Sequence, residues 1–126
     1  MVRKLMLQFS INTFTLAFAR TVLFDSMFHK ECKERVCNII LERDRVRSYL
    51  NEAYLQMLYA YPSEGNFLLI RFKDDRAFHH VLRNLSQSGV KVFDTSGFPL
   101  LERTFRVSIG SEEENEQFLA CFEPAL

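Results

Sequence analysis

No glycine or proline interrupts the chain from Phe24 to Tyr61, and this one feature governs what the rest can do. Within it Phe28, Cys32, Val36, Ile39, Ile40, Val46 and Leu50 recur at helical spacing. Lys30, Lys33, Glu34, Glu42, Asp44, Arg45 and Arg47 cover the other side. An apolar stripe opposed by charge is the pattern of a helix with one buried face. The spacing predicts a single long helix from Ser26 to about Asn51. A chain of 126 residues that spends so much on one helix has room for one domain, not two.

The other elements arrange themselves around that helix. Ser10 to Phe24 reads as a shorter helix, with Asn12 or Thr13 able to cap it and with Phe14, Leu16, Phe18, Val22 and Leu23 as its apolar positions. Leu55 to Tyr61 is apolar and aromatic until Pro62-Ser63-Glu64-Gly65 stops it with turn chemistry. Asn66 to Phe72 is a nearly continuous apolar run of strand length, expected to be covered on at least one face. Asp74 or Asp75 caps a helix whose stripe is Phe78, Val81, Leu82 and Leu85, and Gly89 stands where a left-handed closing residue is wanted. A short strand is expected over Val90 to Phe93 and a loop over Asp94 to Leu101. From Thr104 to Ile109 the residues alternate, with Phe105, Val107 and Ile109 on one face and Thr104, Arg106 and Ser108 on the other. Ser111-Glu112-Glu113-Glu114 reads as a capping box ahead of a last helix that buries Phe118, Leu119 and Phe122. Short strands with helices on one side make a small α+β sandwich.

Composition excludes several classes of function. Sixteen basic and sixteen acidic residues cancel, so no net field draws the chain to nucleic acid or to an anionic membrane. Arg20 breaks the apolar run from Leu16 to Phe24, which excludes a membrane span there. Arg3 and Lys4 are followed by no long apolar run, so no targeting segment is seen. Cys32, Cys37 and Cys121 are odd in number and read as reduced thiols of a cytoplasmic protein. His29 and Cys32 are three apart, but no second pair completes the four ligands of a structural zinc site, and no metal is expected. His79 and His80 are adjacent on a helix, so at most one points inward. The acidic run at Glu112 is explained by capping without catalysis.

Three stretches, in order, carry a resemblance to a known family. Gln8-Phe9-Ser10-Ile11-Asn12 leads into the long helix with Glu42-Arg43-Asp44-Arg45. Tyr61-Pro62-Ser63-Glu64-Gly65-Asn66-Phe67 leads into the strand Leu68-Leu69-Ile70-Arg71-Phe72. Gly89-Val90-Lys91-Val92-Phe93-Asp94 is followed by Phe105-Arg106-Val107-Ser108-Ile109-Gly110-Ser111 and Glu113-Glu114-Asn115. Together these resemble the C-terminal small domain of fold-type I, pyridoxal-phosphate-dependent aminotransferases, nearest to the histidinol-phosphate aminotransferases. The resemblance implies one small domain over residues 1–126, with residues 1–25 as a residual interdomain segment. It implies pyridoxal phosphate in the complete enzyme and none bound by this chain alone, because the Schiff-base lysine of that family lies in a large domain upstream. Lys4, Lys30, Lys33, Lys73 and Lys91 include none in the family's serine-lysine, glycine-rich context.

Arg106 is the leading candidate site residue. Alternation puts it off the core, where it is either an arginine on the wet face of an edge strand or, as the resemblance implies, the residue that binds the substrate's carboxylate or phosphate. A guanidinium fork suits either anion. Asn66 matches the family's asparagine at the strand entry and either lines the site or ties down the turn. Phe93 stands where phosphate-binding relatives carry a second arginine. It points to an apolar or aromatic amino donor, or else it closes the core.

Two functions remain in view. One is a piece of an aminotransferase, moving an amino group between an amino acid or amino alcohol phosphate and a 2-oxo acid. Its partners are then a large cofactor-binding domain or a second subunit, in a homo-oligomer. The other is a catalytically inactive truncated module that binds a partner chain.

Overall fold

A computed structural model describes residues 11–122 of the chain, so Lys4, the Gln8-Phe9-Ser10 part of the first motif and the expected start of the first helix at Ser10 lie outside the described residues. The chain divides into two compact units, Met1–Val36 and Cys37–Leu126.

In the first unit, Asn12 is extended and its side chain accepts from the Thr15 amide, which starts helix α1 over Thr13–Leu23. None of the residues of α1 is buried. The apolar stripe expected of it is real as a pattern but open to solvent, with Phe14 83% and Phe18 64% exposed. The long helix α2 runs Ser26–Ala53, within two residues of the expected end, and its first amides bond the Asp25 carboxylate. His29 is bonded through Nε2 with the Leu23 carbonyl.

The second unit is built on an antiparallel sheet of four strands: β1 (Leu58–Ala60), β2 (Phe67–Phe72), β3 (Phe93–Asp94) and β4 (Thr104–Ser108), in the order β1-β2-β4-β3. Alternation decides which side chains go inward. Leu68, Ile70 and Phe72 of β2 and Phe105 and Val107 of β4 are buried on one face. Val46 and Leu50 of α2 belong to the same core, with Phe78, Val81 and Leu85 of α3 (Asp75–Gln87) and Phe118 and Leu119 of α4 (Glu112–Ala120). Phe72 is the hub: its ring centroid lies 5.7 Å from those of Phe78 and Phe105 and 6.3 Å from that of Phe122. Each such side chain contributes roughly 1.5–3 kcal/mol by leaving water, so a few phenylalanines carry much of a small core. Within this unit the expected α+β layering forms, with α3, α4 and the later turns of α2 packed on one face of the sheet.

Several local readings hold at the level of single atoms. Asp74, not Asp75, caps α3 by accepting from the Ala77 amide. Gly89 has φ 74, the left-handed region in which a Cβ is strained. Ser111 and Glu114 bond each other's backbone amides in a complete capping box.

Two readings are corrected. The strand expected over Val90 to Phe93 forms only at Phe93–Asp94, because the Val90 amide is already spent on the Leu85 carbonyl in closing α3. Thr104 was expected on the wet face and is fully buried. Its hydroxyl lies 2.6 Å from that of Thr95 and 2.6 Å from the Leu101 carbonyl, so the loop ahead of β4 folds over it.

Candidate functional site

The face of the sheet turned away from the core carries the candidate site. β4 lies between β2 and β3, and Arg106 pairs in register with Leu69 on one side and Phe93 on the other. Its side chain is exposed while Phe105 and Val107 are buried, as the alternation predicts. The guanidinium carbon lies 5.2 Å from the centre of the Phe67 ring and 5.4 Å from the centre of the Phe93 ring. Rings from both flanking strands therefore meet the cation, within the roughly 6 Å at which a π face attracts it. Among the described residues, no hydrogen bond or ion pair engages Arg106. Its N–H donors remain available.

A second arginine shares that face and is not free in the same way. Arg71 pairs with Thr104, two residues before Arg106, and its Nη2 donates to the carbonyl of Leu100. Leu100 and Arg103 both have positive φ, of 67 and 57, so the loop entering β4 is tightly wound where Arg71 holds it. Arg103 adds a bond from Nε to the Phe72 carbonyl at 3.3 Å.

Phe93 is 52% exposed and packs on Phe98 at 6.3 Å between ring centres. It does not close the core. Asn66 is exposed one residue ahead of β2, and its backbone carbonyl accepts from the Ile109 amide at 2.8 Å. Among the described residues no side-chain hydrogen bond joins Asn66 to Arg106. Sequence reasoning singled out Arg106 and Phe93 but not the Phe67 ring beside the guanidinium. The available signal was phase: Phe67 falls out of step with Leu68, Ile70 and Phe72.

Charge between α2 and α4 is organised differently. Glu42 accepts from Arg45 at 2.8 and 2.9 Å and from the Asn115 amide at 2.9 Å, and Arg45 reaches on to Glu116 at 2.7 Å. The Arg45 bond first, and that of Asn115 next, hold the Glu42 carboxyl below its ordinary value of 4.5. The bond to Glu42 first, and that to Glu116 after it, push the Arg45 guanidinium up. Arg43, between the charged-face residues Glu42 and Asp44, is buried; it bonds Asp44 at 3.0 Å and the Gly65 carbonyl at 3.3 Å. Among the described residues no three His, Cys, Asp or Glu side chains are grouped to hold a metal. His79 and His80 are both exposed, so neither points inward.

The whole of this arrangement falls in a stretch with known relatives. Residues 1–122 match the family described as aminotransferase class I and II. The chain belongs to that family. It is similar to the histidinol-phosphate aminotransferase of Xanthomonas euvesicatoria pv. vesicatoria (strain 85-10), 34% identical over 94 residues that cover 72% of this chain and 24% of that protein. The enzyme of the same name from Chlorobium luteolum is 37% identical over 75% of this chain and 25% of its own length. Among solved structures, histidinol-phosphate aminotransferase from Sinorhizobium meliloti in complex with pyridoxal-5'-phosphate superposes with a TM-score of 0.63 at 22% identity, covering 75% of this chain and 25% of that one. A decarboxylase from Sulfurospirillum multivorans gives a TM-score of 0.73 at 20% identity, over 90% of this chain and 29% of that one. These likenesses extend the fold assignment. The chain spans about a quarter of the length of the curated relatives it matches.

The Sinorhizobium meliloti structure holds pyridoxal-5'-phosphate, and the lysines of this chain can be weighed against that cofactor. A Schiff-base lysine becomes nucleophilic in a desolvated or cation-flanked pocket. Lys30, Lys33, Lys73 and Lys91 are all exposed, and Lys73 donates to the Leu55 carbonyl at 2.6 Å. The described residues do not fit pyridoxal phosphate on their own, whereas Arg106 fits an anion.

Proposed function

We propose that the chain is the C-terminal small domain of a pyridoxal-phosphate-dependent, histidinol-phosphate aminotransferase-like enzyme, with residues 1–25 as its interdomain segment. Its part in the reaction is to supply Arg106 to the anionic end of the substrate during amino transfer from an amino acid or amino alcohol phosphate to a 2-oxo acid. The observation that carries this reading is an exposed strand arginine, unengaged by hydrogen bonds or ion pairs among the described residues and flanked by two aromatic rings. A guanidinium gives a carboxylate two parallel N–H bonds and so fixes its orientation as well as its place. Apolar rings beside it thin the water there and strengthen that bond. The cofactor and its lysine would be held by the part of the enzyme this chain does not span, in a cytoplasmic homodimer serving histidine or other amino-acid biosynthesis. Asn66 would take a minor share in the same site.

A second reading is a catalytically inactive module that binds a partner chain. What favours it is α1, with no buried residue and with Phe14, Phe18, Phe24 and nearby Met27 exposed.

The test is a chimera in which this chain replaces the matching C-terminal quarter of the Xanthomonas euvesicatoria enzyme. The first reading expects a cofactor-loaded protein that transfers amino groups from phosphate or aromatic donors. A soluble, loaded chimera inactive with every donor would favour the second.

A further inference from the structure

Within that reading of Arg106, the structure carries one step more. We infer that Phe67 and Phe93 are positioning residues for Arg106, and that Gly65 is the residue that lets Phe67 take up its position. An exposed arginine on a strand ordinarily samples many rotamers, and immobilising it on binding costs affinity. Here two neighbours restrict it. Phe93 faces Arg106 directly across β3 and β4, and Phe67 lies diagonally across β2 and β4, two pairs beyond Leu69. Both distances are within diagonal and direct cross-strand reach for aromatic side chains. With the guanidinium drawn to two ring faces, the N–H edge is what it presents to an incoming anion.

Gly65 sets one of those rings. A Cβ at position 65 would come within 2.7 Å of Phe67 Cε1 and 3.0 Å of Cδ1, so any side chain there displaces the ring from its place. The surrounding turn is fixed independently. The Gly65 amide bonds the Ser63 hydroxyl at 3.1 Å, and its carbonyl accepts from the buried Arg43. A turn pinned on both sides leaves Phe67, and not the backbone, as the part that must move. Phe98 backs Phe93 on the far side. The result is a guanidinium prepared in one orientation before any substrate arrives.

The experiment uses the full chain and follows the Nε–Hε resonance of Arg106 by NMR, assigned by its loss in Arg106→Gln, during titration with 3-phenylpropionate. Ring faces shift nearby protons upfield, so the wild-type resonance should lie upfield of free arginine. Phe93→Leu should return it toward the free position and weaken 3-phenylpropionate binding by about two- to fivefold, the scale of an exposed cation–π contact. Phe93→Tyr should restore both, and Gly65→Ala should act in the direction of Phe93→Leu through the displaced Phe67 ring. The inference is overturned if Phe93→Leu leaves the resonance in its wild-type place, or if Phe93→Tyr loses as much affinity as Phe93→Leu. A different result strikes the anion-binding role instead: ring-shifted Nε–Hε that responds to Phe93→Leu, with wild type and Arg106→Gln binding 3-phenylpropionate equally. In that outcome the positioning stands and the proposed function falls.

Discussion

Asn115 on α4 donates its side-chain amide to Glu42 on α2 at 2.9 Å, across 73 positions of sequence. It is 3% exposed and does more than join two helices. The same amide bonds the Gly110 carbonyl at 3.2 Å, and its oxygen accepts from the Gly110 amide at 3.0 Å. Asn115→Ala should therefore leave a backbone amide and carbonyl unsatisfied and cost about 2–4 kcal/mol. Chemical denaturation measures it. A loss below about 0.5 kcal/mol, the range of ordinary surface changes, would mean water replaces those bonds freely.

Glu42 gives the unit a defined acid limit. Its carboxyl is held below the ordinary value by the Arg45 bond and then by Asn115. The folded state therefore keeps it charged at pH values where the unfolded chain has begun to bind a proton. That contribution is complete above the unfolded value near 4.5 and is lost as pH falls through the lower folded value. Glu42→Gln should remove this slope: the stabilities of variant and wild type, measured by denaturation from pH 6 to 3, should converge toward the acid end. Curves that stay parallel throughout would assign the acid sensitivity elsewhere.

Much of this was legible in sequence because it is local. Asp74 and Ser111 bond amides three residues on, and Gly89 answers only to its own φ. Arg106 was legible through the period of two on β4. What escaped depends on contacts far apart in the chain. Thr104 obeys the alternation of its strand but is covered by Thr95 and Leu101. The Glu42–Asn115 bond needs α2 and α4 brought together, and the Arg106–Phe67 contact needs the β2–β4 register. No periodicity within one element encodes these.

The first unit predicts its own behaviour in solution. Phe14, Phe18, Leu23 and Phe24 are all more than half exposed on or beside α1. Uncovered apolar patches of a few hundred Å² drive association. The isolated chain should show a mass by light scattering that rises with concentration, and Phe14→Glu with Phe18→Glu should suppress the rise. A monomer at every concentration would contradict it.

The central claim is that Arg106 binds substrate, and its most direct test is steady-state transamination by the chimeric enzyme carrying Arg106, Arg106→Ala or Arg106→Lys, beside denaturation of each. Arg106 is exposed and lies against two rings, so Arg106→Ala should cost about 1 kcal/mol of stability or less. Its kcat/KM should fall by about 1.5–3 kcal/mol, the scale of a charge-assisted hydrogen bond. Arg106→Lys should recover little of that, since an ammonium lacks the paired fork. If Arg106→Ala instead unfolds the protein while the folded fraction keeps its specific activity, Arg106 is a structural residue and the account is wrong.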